Sequence, residues 1–151
     1  MSKKFMVQPE AQSKSMNCWH ASASMIWNYW QGITGRQGPM NTLAAEWVAN
    51  NGISDFIALG KKAGLKEVTP RPSSYSSKVL EGILTRCGPL WCAGNWYGPG
   101  HVIVLTGVDG EQIYLNDPDG GLKKKATVSW FNVHLYNVSS GCLLYKDPNA
   151  Y

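Results

Sequence analysis

The spacing of apolar residues divides the chain into a helical first half and a strand-rich second half. From Asn17 to Trp30, apolar residues recur at intervals of three and four, which predicts a first helix that is ended by Gly32. Capping residues and glycines predict three more helices: Thr42 to Asn50, a short one between Ser54 and Gly64, and one from the serine cluster 73–77 to Gly88-Pro89. The last of these should bury Val79, Leu80, Ile83 and Leu84.

From Pro89 onward the pattern changes to short apolar runs that are rich in β-branched residues. Helices followed by strands predict an α+β fold with the sheet in the C-terminal half, and no linker or repeat divides the single domain of residues 1–151. The predicted strands are PLWCAG (89–94), HVIVLTGV (101–108), QIYLND (112–117) and CLLYK (142–146), while SWFNVHLY (129–136) fits either a helix or a strand.

Composition adds that this is a folded protein of ordinary domain size. With 151 residues, 44% of them apolar and 16% charged, the chain can bury a core without disulfides or a metal. The net charge is +4, and its one dense stretch, Lys123 to Lys125, is interpreted as a solvated face or loop rather than a nucleic-acid site. Four irregularly spaced cysteines and three histidines fit no metal-binding pattern, so neither a metal nor a cofactor is expected.

The N-terminal sequence MSKKF lacks the apolar stretch of a signal peptide, and no later segment is long enough to span a membrane. We therefore expect a cytoplasmic protein without a membrane partner, or one that a dedicated delivery system secretes into a target cell.

The segment from Gln12 to Cys18 and Trp19 carries the first sign of chemistry. A cysteine in the first turn of a helix lies where unpaired N–H groups and the helix dipole favour a thiolate, which is the nucleophilic form. The side-chain amide of Gln12, six residues upstream, can donate into the same space as the backbone N–H of Cys18. Two such donors constitute an oxyanion hole.

A catalytic thiolate needs a base, and His101 is the best placed of the three histidines. It begins a predicted strand directly after the glycine-rich loop GNWYGPG. By contrast, His20 is turned about 200° away from Cys18 on the same helix. His134 lies in the ambiguous late segment without a polar cluster nearby.

The partner of His101 should come from the second arm of the hairpin, where Asn116 and Asp117 compete. A three-residue loop at 108–110 with a bulge sets Asp117 opposite His101 and pairs aliphatic residues with each other. A two-residue loop at Asp109-Gly110 instead puts Asn116 on the face of His101. Because a shift of one residue exchanges the two faces, the loop decides the partner. Asp117 is favoured by the aliphatic pairing, and Asn116 remains the alternative.

Together, Gln12, Cys18-Trp19, His101 and the Asn116-Asp117-Pro118 turn resemble the motifs of papain-like cysteine peptidases. The resemblance is strongest to the small bacterial branch, which includes the double-glycine bacteriocin-processing peptidases and the avirulence-type proteases of plant pathogens. In that branch the order Gln, Cys, His, Asp recurs, with the acid in a DP pair. The papain-type sequence C-G-S-C-W is absent, since Ser-Met-Asn precedes Cys18.

The resemblance implies a papain-like fold and a cysteine endopeptidase. Cys18 would be the nucleophile, His101 the base, Asp117 its orienting partner and Gln12 an oxyanion donor. It also implies a protein or peptide substrate cut after small residues such as Gly-Gly. Because related free-standing domains are delivered toxins, it further implies an effector role in bacterial antagonism, with a cognate immunity or inhibitor protein. The alternative is a thiol amidase, deamidase or acyltransferase on the same fold.

The loop before His101 is predicted to form one wall of the cleft. Bulky aromatic residues would narrow the groove, while glycines would let a substrate backbone approach closely. The predicted substrate-binding residues are Trp91, Gly94, Trp96, Tyr97 and Gly100.

Overall fold

A computed structural model of the chain describes residues 2–39 and 55–151, and it confirms the α+β class. The helices described are α1 (Cys18–Thr34), α2 (Phe56–Lys62), α3 (Ser77–Cys87) and α4 (Val128–His134). The strands described are β1 (Ser2–Lys4), β2 (Leu65–Glu67), β3 (Leu90–Gly94), β4 (His101–Asp109), β5 (Gln112–Asp117), β6 (Leu122–Thr127) and β7 (Leu143–Lys146).

The helices follow the capping signals of the sequence. Helix α1 runs past the predicted stop and ends at Gly35, whose φ of 75° is the left-handed conformation that glycine adopts easily. The side chain of Asp55 caps α2 and that of Ser76 caps α3, each by accepting an N–H of the first turn. The prediction that Val79 is buried was wrong, since its side chain lies on the outer face of α3 and is 37% exposed. The predicted helix from Thr42 to Asn50 lies outside the described residues.

All the strand pairs described are antiparallel, in the order β2-β7-β3-β4-β5-β6, with β1 paired to the far half of β4. The sequence did not predict β1, β2 and β6. Strands β1 and β2 have three residues each and are mostly polar, and β6 carries the run Lys123–Lys125. That run forms an edge strand rather than a loop, and lysines are typical of exposed sheet edges. The ambiguous segment 129–136 contributes mainly to the short helix α4, capped by Thr127.

The β4–β5 hairpin differs from both predicted registers. Asp109 pairs with Gln112, so the loop consists of Gly110 and Glu111. It is neither the favoured three-residue loop 108–110 nor the alternative two-residue loop Asp109-Gly110. The register then shifts between Leu105 and Gly107, which leaves Thr106 as a bulge. Because the bulge inserts one residue, it reverses which side chains of the two strands share a face.

Helix α1 lies against β3 and β4, so its N-terminus is held beside the start of β4. The indole N–H of buried Trp91 in β3 donates to the carbonyl of Trp19 over 3.1 Å. The hydroxyl of Ser22 donates to the carbonyl of Val102 over 3.3 Å. These bonds join the first turns of α1 to the strands, and they fix the positions of the residues on either side of the junction. None of the described helices is long and apolar enough to cross a membrane.

Candidate active site

Cys18 is the first residue of α1, as the sequence predicted within one position. The first N–H groups of a helix have no partner within the helix, and the helix dipole places positive potential there. The thiol is largely buried, at 9% exposure, but it lines a cavity together with His101. A substrate in this cavity can therefore reach the Cys18 side chain.

His101 is the first residue of β4, and its imidazole lies between Cys18 and Asp117. Its Nε2 lies 2.7 Å from Oδ1 of Asp117. Because a carboxylate only accepts hydrogen bonds, Nε2 carries the proton of that bond. Nδ1 is therefore the ring atom left for the hydrogen bond with the Cys18 thiol. The imidazole thus connects the Cys18 thiol to a carboxylate.

The same contacts raise the pKa of His101. Burial disfavours the charged ring, but the hydrogen bonds to Asp117 and Cys18 and the charges of these two groups outweigh it. The resulting pKa is about 9. The imidazole therefore remains protonated through neutral pH and forms an ion pair with Asp117.

Asp117, at the end of β5, is 1% exposed and makes three close contacts. Oδ1 accepts from His101 and from the backbone N–H of Asp119 over 2.9 Å, and Oδ2 accepts from Nζ of Lys124 over 2.7 Å. Burial alone would raise the pKa of the carboxyl, but the bonds from His101, Lys124 and Asp119 lower it below its ordinary value. Asp117 is therefore a fixed, ionised partner for His101.

Asn116 lies on the opposite face of β5. Its amide is buried at 2% exposure and donates to the carbonyl of Val7 over 2.9 Å. Because of the bulge at Thr106, Asn116 shares a face with Val104 rather than with His101. The residue holds the N-terminal segment on the sheet and does not contact the imidazole in this arrangement.

Gln12 lines the same groove as His101, and its backbone N–H donates to the carbonyl of Pro118 over 2.8 Å. Its side-chain Nε2 donates to the carbonyls of Lys14 and Ser15 over 3.0 and 2.9 Å. Both amide protons thus hold the loop that leads into α1. In this arrangement the amide is next to the site, but its protons are engaged.

Two cavities meet at the imidazole of His101. One of about 230 Å³ contains Cys18 and has a largely apolar lining, which includes Met16, Trp19, Phe56, Ala93 and Tyr136. The other, of about 660 Å³, is more open and is lined by Gln12, Tyr97, Gly98, Pro99 and Asp119. The two cavities adjoin, since both are bordered by Ser15, Met16, Gly100 and His101, and together they form the cleft of the candidate site.

The family model described as papain-like cysteine protease AvrRpt2 matches residues 1–136 of the chain. The chain belongs to this family. It is a papain-like cysteine peptidase, as the sequence motifs predicted.

Among solved structures, the peptidase is similar to one described as a double glycine motif protease from an AMS/PCAT transporter in complex with the leader peptide. The two share 21% sequence identity and a TM-score of 0.58, over 94% of this chain and 91% of that chain. This similarity supports the papain-like fold. No curated protein matches the chain.

Of the five predicted substrate-binding residues, only Tyr97 and Gly100 line the cleft of the peptidase. Trp91 and Trp96 are in the core, at 1% and 2% exposure, where their indole N–H groups bond to backbone carbonyls. Gly94 is buried in β3, where a Cβ would lie 2.5 Å from the carbonyl oxygen of His134. The strand is covered on both faces, so these side chains pack inward instead of forming a wall.

Sequence reasoning missed several residues that border the site. Phe56 and Tyr136 are distant in sequence, and no local pattern marks them. The hydroxyl of Tyr136 accepts from the N–H of Gly100 over 2.9 Å and so fixes the loop before His101. Lys124 was part of a conspicuous run, but nothing in that run marks a strand, and only the pairing of β6 with β5 assigns Lys124 to the face of Asp117.

The other two histidines lie in different surroundings. The ring of His20 packs edge to face between Trp19 and Trp27, and burial lowers its pKa. His134 is hydrogen-bonded through Nδ1 to the amide oxygen of Asn95 at 3.0 Å. His101 is the histidine that contacts the Cys18 thiol.

Proposed function

We propose that Cys18, His101 and Asp117 are the catalytic triad with which this cysteine peptidase hydrolyses peptide bonds. The observation that carries the proposal is the single imidazole that is hydrogen-bonded to both the thiol and the buried carboxylate. A nucleophile, a base and an orienting acid in this order are the parts that acyl transfer requires.

In the proposed reaction, the thiolate of Cys18 attacks the carbonyl carbon of the scissile bond and forms a tetrahedral intermediate. Protonated Nδ1 of His101 then gives its proton to the leaving amine, the C–N bond breaks, and a thioester remains on Cys18. Neutral Nδ1 next takes a proton from water, whose oxygen attacks the thioester. The acid product leaves, and the thiolate–imidazolium pair is restored. Asp117 holds the ring in one orientation throughout.

The oxyanion of each intermediate would be stabilised by the backbone N–H of Cys18 and by the amide of Gln12. The first is a helix-start N–H, which has no partner within its helix. Gln12 borders the groove beside His101. Its amide can donate to the oxyanion once one of its bonds to the carbonyls of Lys14 and Ser15 is broken. In this proposal Gln12 both shapes the approach to Cys18 and contributes to catalysis.

The substrate is proposed to be a protein or peptide that lies extended across the two cavities, with its scissile carbonyl at Cys18. The two cavities adjoin at His101 and one of them contains Cys18, so a chain segment that crosses both passes this residue. A preference for small residues such as Gly-Gly before the bond is supported by the description of the structural neighbour as a double glycine motif protease. Because Trp91 and Trp96 lie in the core, they do not narrow the cleft and do not contribute to such a preference.

We further propose that the peptidase acts as a toxin or effector in a target cell, and that an acidic immunity protein covers its cleft. The net charge of +4 would favour such a partner. Growth of bacteria that express the wild type or Cys18→Ala in the cytosol tests this role. Equal growth of the two strains would contradict it for that host.

N-terminal proteomics of cells that express the peptidase tests the reaction itself. New N-termini should appear with the wild type and be absent with Cys18→Ala, and the residues before each cut would give the specificity. Cys87→Ala is the matched control, because this buried thiol lies outside the cleft and its loss should leave cleavage intact. Cleavage that persists in Cys18→Ala would refute the proposed nucleophile.

A further inference from the structure

The lysine run on β6 is divided between the two faces of the sheet. In the pairing of β5 with β6, Leu122 is opposite Asp117, Lys123 is opposite Asn116, and Lys124 is opposite Leu115. Alternation therefore puts Lys124 on the face of Asp117, and it puts its neighbours Lys123 and Lys125 on the other face. Lys124 on β6 and His101 on β4 are thus both diagonal neighbours of Asp117, one on each side of β5.

The ammonium of Lys124 is held in place by two groups. Its Nζ donates to Oδ2 of Asp117 over 2.7 Å and lies 3.9 Å from the centre of the Tyr97 ring. The side chain is 31% exposed, whereas that of Asp117 is 2% exposed. An ammonium between a carboxylate and an aromatic face is stabilised by both, so this geometry differs from that of a freely solvated surface lysine.

The two oxygens of Asp117 have different partners. Oδ1 accepts from His101 and from the N–H of Asp119, and Oδ2 accepts from Lys124. A buried carboxylate oxygen that loses its donor is strongly destabilised, and rotation of the carboxylate is the simplest way to find another. Such a rotation would move Oδ1 and, with it, the imidazole that Oδ1 holds through Nε2.

We propose that Lys124 is a positioning residue of the active site, which fixes the orientation of Asp117 and offsets part of its negative charge. The proposal rests on the proposed triad, since Lys124 acts on His101 only through Asp117. It assigns a role to one lysine of the run and none to its two neighbours.

The charge of Lys124 has a consequence for the imidazole. Lys124 and protonated His101 share one carboxylate, so each weakens the attraction that the carboxylate exerts on the other. Removal of the ammonium should therefore stabilise the imidazolium and raise its pKa, since Asp117 is ionised in the alkaline range. The ionisable groups around His101 are Cys18 from α1, Asp117 from β5, Lys124 from β6, Tyr97 from the preceding loop and Asp119 from the following turn.

The test compares Lys124→Met with Lys123→Met, which removes the same charge from the same strand on the other face. Methionine keeps an aliphatic chain against Tyr97 and removes the ammonium. For Lys124→Met we expect kcat to fall about tenfold through misplacement of the imidazole, with little change in KM. We also expect the titration of His101, followed by NMR of labelled histidine, to move to higher pH. Lys124→Arg should restore both values, and Lys123→Met should match the wild type.

A lower kcat for Lys124→Met without a shift in the titration of His101 would indicate a structural role only and would overturn the proposal. Equal behaviour of the two methionine variants would also overturn it. If Lys124→Met does not fold, Lys124→Gln tests the charge alone, because it removes the charge and keeps a donor for Oδ2. The pKa of His101 should then rise while kcat stays close to that of the wild type. Alkylation of Cys18 by iodoacetamide distinguishes a failure of the proposed triad from a failure of the role of Lys124. If Cys18 of the wild type does not react, the proposed triad fails. If it reacts and the Lys124 variants are unchanged, only the role of Lys124 fails.

Discussion

Nε2 of His101 lies 2.7 Å from Oδ1 of Asp117, although the two residues are not directly opposite each other in the β4–β5 ladder. The pairing of Val104 with Asn116, continued toward the site, leaves His101 diagonal to Asp117. The bulge at Thr106 makes this contact possible. Without the extra residue, the register set at the turn would put Asn116 on the face of His101. A single unpaired residue therefore selects the partner of the imidazole.

Asp117→Asn should lower kcat/KM on the order of a hundredfold, because the amide neither fixes the proton on Nε2 nor stabilises the imidazolium by charge. The bond and the charge of Asp117 both raise the pKa of His101, so their loss lowers it. The alkaline limit of activity should move to lower pH. A pH–rate profile of peptide hydrolysis checks this, and an unchanged profile would show that Asp117 is not the partner.

Asn116→Ala is the comparison for that variant, one residue away on the other face. It removes the hydrogen bond to the carbonyl of Val7 and leaves a buried acceptor unsatisfied. The free energy of unfolding should fall by about 1–3 kcal/mol, measured by urea denaturation. The pH–rate profile of the folded enzyme should stay that of the wild type. A shift as large as that of Asp117→Asn would instead assign the catalytic role to Asn116.

The helices and the long strands were predictable because each carries its own signal. Periodic apolar residues and capping side chains such as Ser76 lie within the element they define. Strands β1, β2 and β6 carry no such signal, since short polar segments become strands by pairing with a neighbour that is distant in sequence.

The site was predictable in its residues but not in its geometry. The sequence indicated the types and order of Cys18, His101 and Asp117, and the structure brings His101 and Asp117 together although the assumed loop was wrong. The bulge at Thr106 depends on contacts on both edges of β4, among them the bond from the N–H of Phe5 to the carbonyl of Thr106. No pattern within the hairpin encodes it.

The pH range of activity should reach unusually far into the alkaline region. In the proposed reaction His101 gives its proton to the leaving amine and so must be protonated, and its pKa is raised from 6.5 to about 9. Activity should therefore persist above the ordinary pKa of histidine and fall as the pH rises through about 9. The measurement is kcat/KM from pH 6 to 10, with His134→Ala as the control that keeps the same limit. A fall centred near pH 6.5 would contradict the ion pair.

Gln12→Ala should reduce kcat on the order of a hundredfold to a thousandfold if the amide is an oxyanion donor. KM should change little, because the donor acts on the intermediate rather than on the bound substrate. The same variant also loses the bonds to Lys14 and Ser15, so circular dichroism must show that the fold is kept. Gln31→Ala, on an exposed turn of α1, is the matched control. Equal kcat values for the two variants would exclude the proposed oxyanion role.

Trp96 and Tyr97 are adjacent in sequence but should respond to alanine substitution in different ways. Trp96 is 2% exposed, stacks on Phe131 with ring centres 5.4 Å apart, and donates to the carbonyl of Cys92. Its loss should lower the free energy of unfolding by about 3–5 kcal/mol. Tyr97 is 52% exposed and lines the more open cavity, so its loss should leave stability nearly unchanged and raise KM several-fold.

Denaturant unfolding and steady-state kinetics of both variants separate these effects. The kinetics are measured under conditions in which the less stable variant is still folded. A rise in KM for folded Trp96→Ala without a loss of stability would show that Trp96 lines the cleft, as the sequence suggested. A large loss of stability in Tyr97→Ala would show that its ring is needed mainly to hold the loop before His101. Opposite responses of the two neighbours would establish that substrates contact the outer face of this loop, while its inner face belongs to the core.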